Sequence, residues 1–229
     1  MEPFGPYSGA RLVGRYDQRH FGGSGGRHVF RKDRHILISL LPSPSSLILD
    51  VPCGTGIYSE TLRAAGYRVI AADASLPMLQ AGRQRLSGIS CSVSDIGRLP
   101  FTDDSLDCIM IIRLFQHFPG DQILRVLHES RRVIRSGGLV VFDTFRWSPR
   151  RVPLLKSVLK GDMYVYAHQD VKRLLSAADL MPAESISAYL FSPIWYRKLP
   201  SFFLHALDGV ETILPGRWLL RTFWGCTKA

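Results

Sequence analysis

The sequence predicts an α/β fold built on a mostly parallel sheet, because an apolar strand that ends in an aspartate occurs twice with a helix between. Residues 47–50 begin with three branched apolar residues and end in Asp50, which is typical of a buried parallel strand. Residues 67–73 repeat this pattern and end in Asp73, 23 residues later. Between them, residues 57–65 carry apolar side chains at near-helical spacing. Strands that alternate with helices in this way predict a ligand site beyond the carboxyl ends of the strands.

Two glycines, Gly54 and Gly56, separate the first predicted strand from the following helix. Glycine permits positive φ in a tight turn and lets a ligand approach the backbone, and the helix N-terminus favours electron-rich ligand atoms. A dinucleotide fingerprint would need a third glycine where this chain has Ser59. The carboxylate of Asp50 would repel a pyrophosphate, but it suits a ligand that carries an amino group. The stretch therefore predicts a small-molecule cradle and disfavours a hydride-transferring dehydrogenase.

Length and composition indicate one globular domain. The chain has 229 residues, of which 46% are hydrophobic and 21% charged, so it can bury one substantial core. Its four cysteines are far apart, without C-x-x-C or histidine pairing, and predict neither a disulfide framework nor a metal site. No apolar run approaches the roughly 20 residues of a spanning helix, and residues 1–14 lack the apolar centre of a signal peptide. A cytoplasmic location is therefore expected.

The formal net charge is +10, from 29 basic and 19 acidic residues. Residues 11–34 hold seven Lys and Arg side chains against two acidic ones, and residues 146–160 hold five with no acid. Such a balance indicates an anionic partner, which nucleic acid, an acidic substrate or lipid headgroups would each satisfy. An arginine-rich solvated surface explains the charge equally well, so composition leaves these possibilities open.

Residues 47–56 resemble motif I of the class I S-adenosylmethionine-dependent methyltransferases, in which an acidic residue precedes a G-x-G loop. The resemblance implies a Rossmann-like, seven-stranded, mostly parallel sheet with helices on both faces and an antiparallel last strand. It also implies S-adenosylmethionine as the cofactor and S-adenosylhomocysteine as the product. Pro52 departs from the family pattern, because a glycine or alanine is common there. The loop residues expected to hold the methionine part of the cofactor are Asp50, Pro52, Cys53, Gly54, Thr55 and Gly56.

Asp73 matches motif II of this family, where a carboxylate accepts hydrogen bonds from both ribose hydroxyls. The alternative interpretation is a helix N-cap, because Ser75 starts a predicted helix immediately afterwards. Ala74 lies beside this carboxylate in the expected binding site. Met78 matches a position where family members place an apolar side chain against the adenine.

The run S-D-I-G-R-L-P-F resembles motif III, in which Asp95 would hydrogen-bond the adenine amino group and Ile96 would offer its backbone. After the fourth predicted strand, 101–112, the run R-L-F-Q-H-F-P-G resembles the family's L-H-H-F-P-D. Arg113 falls where the backbone lines the methyl end of the cofactor. His117 is the candidate general base, because imidazole titrates near neutral pH; the alternative is a packing or capping residue.

Residues 121–135 form a predicted amphipathic helix closed by two glycines, and residues 139–145 form the fifth predicted strand. This helix-glycine-strand segment closely resembles the family pattern. Asp143, near the end of the strand, is expected to face the pocket and to orient a hydroxyl or amine of the substrate.

The first 46 residues are expected to form a lid and a helix. The glycine run at 22–26 predicts a loop rather than the interior of a regular element, with a helix over 29–41 after it. The Tyr16-Asp17 pair resembles an N-terminal segment of small-molecule methyltransferases in which an aromatic ring closes over the cofactor. Tyr16 therefore either contacts the cofactor or packs the loop on the core.

Residues 146–229 are expected to be the variable, substrate-side region. Its predicted parts are a basic insertion (146–167), a helix (169–180), a strand (184–191) and the last strand (218–228). The segment 192–217 is unusually rich in aromatic and leucine side chains. It forms either a helical cap over the core or an apolar mouth for a hydrophobic substrate or a membrane surface.

The resemblance is strongest over residues 47–145, within a single domain of residues 1–229 that includes a lid region (1–46). It implies methyl transfer from S-adenosylmethionine to a small-molecule acceptor, for which a hydrophobic, lipid-like or quinone-like metabolite is the favoured class. One alternative is a nucleic-acid methyltransferase; enzymes of that kind that methylate base amines usually carry an N/D-P-P-Y motif where this chain reads I-I-R-L-F-Q. The other is a non-catalytic protein that binds the same cofactor. The sequence indicates neither the acceptor nor the oligomeric state.

Overall fold

The computed structural model describes residues 16–147, 163–196 and 198–228. The first 15 residues of the expected lid and most of the basic insertion at 146–167 lie outside the described residues. Side chains of residues 193, 194 and 201 are likewise not described.

Seven strands form one sheet in the order β3-β2-β1-β4-β5-β7-β6. The strands are β1 (Leu47–Asp50), β2 (Arg68–Asp73), β3 (Ser90–Val93), β4 (Leu106–Ile111), β5 (Ile134–Phe145), β6 (Leu180–Ala188) and β7 (Arg221–Lys228). Strands β1 to β5 pair in parallel, whereas β7 is antiparallel to both of its neighbours, β5 and β6. Six strands therefore share one direction, which confirms the predicted sheet with its antiparallel last strand.

Helices cover both faces of this sheet. They are α1 (Tyr16–Phe21), α2 (Gly23–Leu40), α3 (Ile57–Ala64), α4 (Leu76–Ala81), α5 (Gly120–Val133), α6 (His168–Ala177), α7 (Pro193–Tyr196) and α8 (Ser201–Ile213). Leu127 of α5 and Leu175 of α6 belong to the core on one face, whereas Leu37 of α2 and Leu204 of α8 belong to the core on the other. The central strands are thus buried on both sides, as their continuous apolar sequence predicted.

The glycine run at 22–26, predicted to be a loop, instead begins helix α2. A side chain on Gly26 would place its Cβ 2.6 Å from the carbonyl carbon of Phe21, and one on Gly22 would place it 2.3 Å from the carbonyl oxygen of Gln18. Both contacts are with the backbone of α1, which cannot move aside. The glycines are therefore needed because the short helix α1 turns back tightly onto α2, and the predicted loop was wrong.

The segment 192–217 contains α7 and α8, so it is helical as predicted, and its use as a mouth for a substrate or a membrane stays a prediction. Elements around it begin earlier or later than their patterns predicted. Helix α6 ends at Ala177 rather than at 180, and β6 spans 180–188 rather than 184–191. Asp179 and Tyr189 adopt φ of +52° and +71°, and these left-handed turns mark the two ends of β6. A short 3₁₀ turn, Gly216–Trp218, precedes β7, which begins at Arg221 rather than at 218.

None of the helices in the described part of the chain has the length and apolar character needed to cross a bilayer. Within the same residues, no group of three or more His, Cys, Asp or Glu side chains is arranged to hold a metal ion.

Candidate active site

Three carboxylates predicted to form the site lie at neighbouring strand ends. Asp50 is the last residue of β1, Asp73 is the last residue of β2, and Asp95 follows the end of β3 by two residues. Because these strands are adjacent and parallel, their carboxyl ends meet at one edge of the sheet. The fold therefore brings together three side chains, of which the outermost two, Asp50 and Asp95, are 45 residues apart in the sequence.

The loop after β1 contains two glycines in the left-handed region, with φ of +56° at Gly54 and +76° at Gly56. A Cβ on Gly54 would meet no protein atom within 4 Å, so the space beside this backbone is open. A Cβ on Gly56 would lie 2.5 Å from Cδ2 of the buried Leu86, so a side chain here would have to displace Leu86, and the positive φ also favours glycine. The Val51–Pro52 peptide bond before them is cis. Of the two glycines, Gly54 is the one that leaves room for a ligand.

Asp73 links the glycine loop to the start of α4. Its Oδ2 accepts the backbone N–H of Gly54 at 2.8 Å, and its Oδ1 accepts the backbone N–H of Ser75 at 2.8 Å. The side-chain N-cap of α4 is Ser75, whose hydroxyl accepts the N–H of Met78 at 3.4 Å. Burial raises the pKa of the Asp73 carboxyl above its usual range, while the two backbone N–H groups oppose this shift. Asp73 therefore orients the glycine loop, whether or not it also contacts a ligand.

Asp50 lies beneath the loop and is about 1% exposed. Its Oδ2 accepts a hydrogen bond from the hydroxyl of Ser59, the residue that replaces the third glycine of the dinucleotide fingerprint. Burial raises the pKa of Asp50 to about 7, the Ser59 hydrogen bond opposes the shift, and the charge of Asp73 adds to it. Cys53 is buried beside it, its thiol pKa is raised by burial, and its backbone N–H donates to the carbonyl of Ala72 at 2.8 Å.

The residues assigned to the adenine end differ in exposure. Asp95 is half-buried, and its Oδ1 accepts the backbone N–H of Gly97 at 2.8 Å. Ile96 and Met78 are buried, whereas Ala74 is exposed. The residues assigned to adenine thus combine a polar acceptor, Asp95, and an exposed residue, Ala74, with two buried apolar side chains, Ile96 and Met78.

Helix α1 is tied to the glycine loop through Asp17. The hydroxyl of Thr55 in the loop donates to Oδ1 of Asp17 at 2.5 Å, and Arg85 pairs with Oδ2 of the same carboxylate. Tyr16 is half-buried, and its ring centroid lies 4.5 Å from that of His20. The contacts of Asp17 with Thr55 and Arg85 were not identified from the sequence, because these partners lie 38 and 68 residues away and no local pattern marks such contacts.

Arg113 joins the end of β4 to helix α1. Its backbone adopts φ +63°, and its N–H donates to Oδ1 of Asp143 at 2.6 Å. Its guanidinium lies 2.7 Å from Nδ1 of His20 and 5.8 Å from the ring centroid of Tyr16. The ring of Phe21 is at a similar distance, 5.6 Å. Arg113 is thus enclosed by the aromatic side chains of α1.

His117 ends the 3₁₀ turn Phe115–His117 and is exposed. Its Nε2 lies 3.1 Å from the side-chain nitrogen of Gln116. The segment after the undescribed insertion packs against this turn, because the N–H of Tyr164 donates to the carbonyl of Gln116 at 2.9 Å and the Tyr166 hydroxyl donates to that of Phe118. The ring is therefore on the surface, on the turn that Tyr164 and Tyr166 contact.

Asp143, expected to face the pocket, instead takes part in a buried polar network and is about 2% exposed. Its Oδ2 accepts the Nε–H of Arg221 at 2.7 Å, and the same guanidinium donates to both oxygens of Asp33. The hydroxyls of Tyr58 and Tyr189 donate to Asp33 at 3.0 and 2.6 Å. Both carboxylate oxygens of Asp143 are engaged in this network, so a role in orienting a substrate group stays a prediction. Its partners come from distant segments, which no local motif indicates.

Comparison with known proteins connects this edge of the sheet to a family. Residues 48–138 match the family model described as a methyltransferase domain. The chain is 31% identical over 175 residues to demethylmenaquinone methyltransferase of Mycobacterium sp. (strain KMS), in a match that covers 68% of this chain and 72% of that protein. It is 36% identical over 133 residues to the protein of the same name in Clavibacter sepedonicus, covering 56% of this chain and 51% of the relative. The matched part of the chain thus spans about half the length of this second relative.

The fold has a similar solved structure in Thermotoga maritima, described as an S-adenosylmethionine-dependent methyltransferase and possible histamine N-methyltransferase. The TM-score is 0.72, the sequence identity is 18%, and the match covers 96% of this chain and 97% of the other. At this identity the likeness concerns the fold.

Proposed function

This chain belongs to the class I S-adenosylmethionine-dependent methyltransferase family, and we propose that it transfers a methyl group from S-adenosylmethionine to a small hydrophobic acceptor of lipid-like or quinone-like character. When bound, the cofactor supplies a methyl group that its positively charged sulfur has already activated. The chain's own residues then need to hold the cofactor, align the acceptor and, for a hydroxyl acceptor, remove a proton.

The donor and acceptor groups at the sheet edge fit this cofactor. The observation that carries the proposal is the open backbone at Gly54, flanked by the carboxylates of Asp50, Asp73 and Asp95. A nucleoside that carries an ammonium group, a ribose diol and an adenine amine offers hydrogen-bond donors at three points. Asp73 and Asp95 can accept hydrogen bonds at two of those points and Asp50 provides negative potential at the third, whereas the three carboxylates would repel a pyrophosphate.

We assign the ribose hydroxyls to Asp73 and the adenine amino group to Asp95. Both oxygens of Asp73 already accept a backbone N–H, but each carboxylate oxygen has two lone pairs and can accept a further bond. The backbone of Ile96 and the buried side chain of Met78 would complete the adenine end, with Ala74 beside the ribose. Each of these assignments follows the family motif matched at that position.

The methionine part of the cofactor is assigned to the loop of residues 52–56 and to Arg113. Asp50 is buried beneath that loop, so its contribution is the negative potential it provides for an ammonium group rather than an exposed contact. Tyr16 on α1 would close over this part, since the same helix is anchored to the loop through Thr55 and Asp17.

The assignment of a hydrophobic acceptor rests on the cap and on the relatives. Helices α7 and α8 connect β6 to β7 at the edge that carries the carboxylates, and their exposed side chains are largely apolar. The curated relatives named above are demethylmenaquinone methyltransferases. His117, on the substrate side, is the proposed general base for a hydroxyl acceptor.

The test is transfer of label from methyl-labelled S-adenosylmethionine to a lysate separated into organic extract, aqueous metabolites and nucleic acid. We expect label in the organic extract. A Gly54→Leu variant should abolish transfer, because its side chain fills the open space beside the loop. Gly88→Leu is the matched control, since Gly88 also has positive φ, +75°, and open space around its Cβ position. Label in nucleic acid, or tight cofactor binding with no transfer to any fraction, would contradict the proposal.

A further inference from the structure

Helix α8 has its acidic residues turned inward. Asp208 and Glu211 face α2, where Nζ of Lys32 lies 2.6 Å from Asp208 Oδ1 and 2.7 Å from Glu211 Oε2. His28, one turn before Lys32, places Nε2 3.2 Å from Asp208 Oδ2. Glu211 is about 7% exposed and also accepts the backbone N–H groups of residues 189 and 190. The charged face of this helix is thus used to attach it to the domain.

The outward face of α8 is apolar instead. Phe202, Val210 and Ile213 are exposed to 65%, 41% and 80%, and they share one side of the helix with Ala206 and Gly209. Their spacing of four, seven, eight and eleven residues places all five within about 100° of the helix circumference. These five residues are called the α8 face. It contains no charged residue, the reverse of what a solvent-exposed helix presents.

A row of arginines adjoins the α8 face on α2. Arg27, Arg31 and Arg34 are exposed and spaced by four and three residues, so they form one stripe, called the arginine stripe. Arg27 and Arg31 each precede one of the two basic residues that hold α8, His28 and Lys32. Successive residues are about 100° apart around a helix. Arg27 and Arg31 therefore point about 100° away from the side of α2 that contacts α8, which places the stripe beside α8. None of the three arginines forms an ion pair within the described part of the chain.

Exposed tryptophans lie on both sides of α8 in the sequence. Trp195 of α7 is 58% exposed and has the ammonium of Lys198 5.7 Å from its ring centroid. Trp218 is 59% exposed and follows Arg217, which is also exposed. Tryptophan next to a basic residue is typical of segments at a membrane–water interface, where the ring and the cation occupy the headgroup region.

We propose that the α8 face and the arginine stripe together form a docking surface for an anionic lipid bilayer. The apolar residues would enter the headgroup and acyl boundary, while the arginines would pair with anionic headgroups. The net charge of +10 supports an anionic partner over a neutral one. Because α8 begins beyond the end of β6 and leads to β7, docking would place this connection at the carboxylate-bearing edge of the sheet next to the bilayer. This surface is independent of whether methyl transfer occurs.

The experiment is flotation of the purified chain with vesicles of phosphatidylcholine alone or of phosphatidylcholine with phosphatidylglycerol. We expect binding only to the anionic vesicles and its loss as salt is raised, because screening weakens the headgroup contacts. Val210→Asp with Ile213→Asp should lower the partition coefficient by at least about tenfold. Met181→Asp is the matched control, since Met181 is 56% exposed but lies on β6, away from the α8 face.

The charged part of the surface is tested separately. Replacing all three residues of the arginine stripe with glutamine should reduce binding by at least about tenfold. The matched control replaces three other exposed arginines, Arg63, Arg83 and Arg98, and should bind as the wild type does. Circular dichroism of every variant identifies loss of fold. Equal binding to neutral vesicles, or unchanged binding by the folded α8-face variant, would overturn the proposal. So would a wild-type dimer that the α8-face variant dissociates, because a second copy would then cover this face.

Discussion

Arg221 and Asp33, 188 residues apart in the sequence, form an ion pair that is almost closed to solvent. Nη1 of Arg221 lies 2.8 and 2.7 Å from the two carboxylate oxygens of Asp33, and both side chains are about 2% exposed. Arg221 also donates to Asp143, so one guanidinium joins α2, the end of β5 and the start of β7. The network therefore attaches α2, against which α1 and α8 pack, to the edge of the sheet that carries the candidate site.

We predict that Arg221→Met lowers the free energy of unfolding by about 3–5 kcal/mol, because it leaves two carboxylates buried without their shared cation. Asp33→Asn should cost less, about 1–3 kcal/mol, because Arg221 keeps its pairing with Asp143. Denaturant unfolding of both variants measures the difference. Equal costs for the two substitutions would contradict the shared role assigned to Arg221.

The raised pKa of Asp50 predicts a pH-dependent stability. Its folded-state pKa is about 7, against an ordinary value of 3.8, so the folded protein holds this proton more tightly than the unfolded chain. The stabilisation that protonation gives is complete at low pH and is lost as pH rises from about 4 to 7. Asp50→Asn cannot ionise and should escape this loss. The variant should therefore gain about 2–4 kcal/mol relative to wild type between pH 4 and pH 8.

Unfolding by denaturant at several pH values, without cofactor, measures this difference. Asp179→Asn is the control, because Asp179 is exposed at a turn and should show little change relative to wild type over the same range. Ser59→Ala removes a hydrogen bond that lowers the Asp50 pKa, so it should steepen the loss of stability towards pH 8. If the difference in unfolding free energy between wild type and Asp50→Asn stays constant with pH, Asp50 titrates in its ordinary range.

Asp73→Ala should weaken binding of S-adenosylmethionine by about 1.5–3 kcal/mol, or roughly ten- to hundredfold, as expected for lost hydrogen bonds to a carboxylate. Isothermal titration calorimetry gives the affinity. Ser75→Ala is the control, because it removes the N-cap of α4 and keeps the Asp73 carboxylate, so it should bind nearly as the wild type does. If Asp73→Ala binds with unchanged affinity, the ribose assignment is wrong.

His117→Ala should lower the rate of transfer at saturating cofactor by about 100- to 10,000-fold if a hydroxyl acceptor loses its proton to this ring. Cofactor affinity should not change, since the role concerns the acceptor. Gln116→Ala is the matched control, because Gln116 lies on the same turn and contacts the ring at 3.1 Å. Single-turnover kinetics separates the transfer step from product release. A rate equal to that of the wild type would remove His117 from the mechanism.

The two motif glycines illustrate how much a local pattern predicts. Gly54 and Gly56 were expected to permit positive φ in a tight turn, and both adopt it. Their different roles depend on what surrounds them, because Gly56 faces Leu86 whereas Gly54 faces open space. The glycine run at 22–26 misled prediction for the same reason. Glycine there permits close contact between two helices, and a sequence does not distinguish that use from a loop.

The order of apolar strands, carboxylates and helices along the chain was sufficient to predict a mostly parallel sheet and the edge that carries Asp50, Asp73 and Asp95, and the family resemblance added the antiparallel last strand. These features depend on residues within one strand-turn-helix unit, so their pattern is local. Contacts between distant segments were decided by the tertiary structure alone: Asp17 with Arg85, Asp33 and Asp143 with Arg221, and the inward carboxylates of α8 with Lys32. Each depends on which helix packs against which, and a side chain 188 residues from its partner carries no sign of it in its neighbours along the chain.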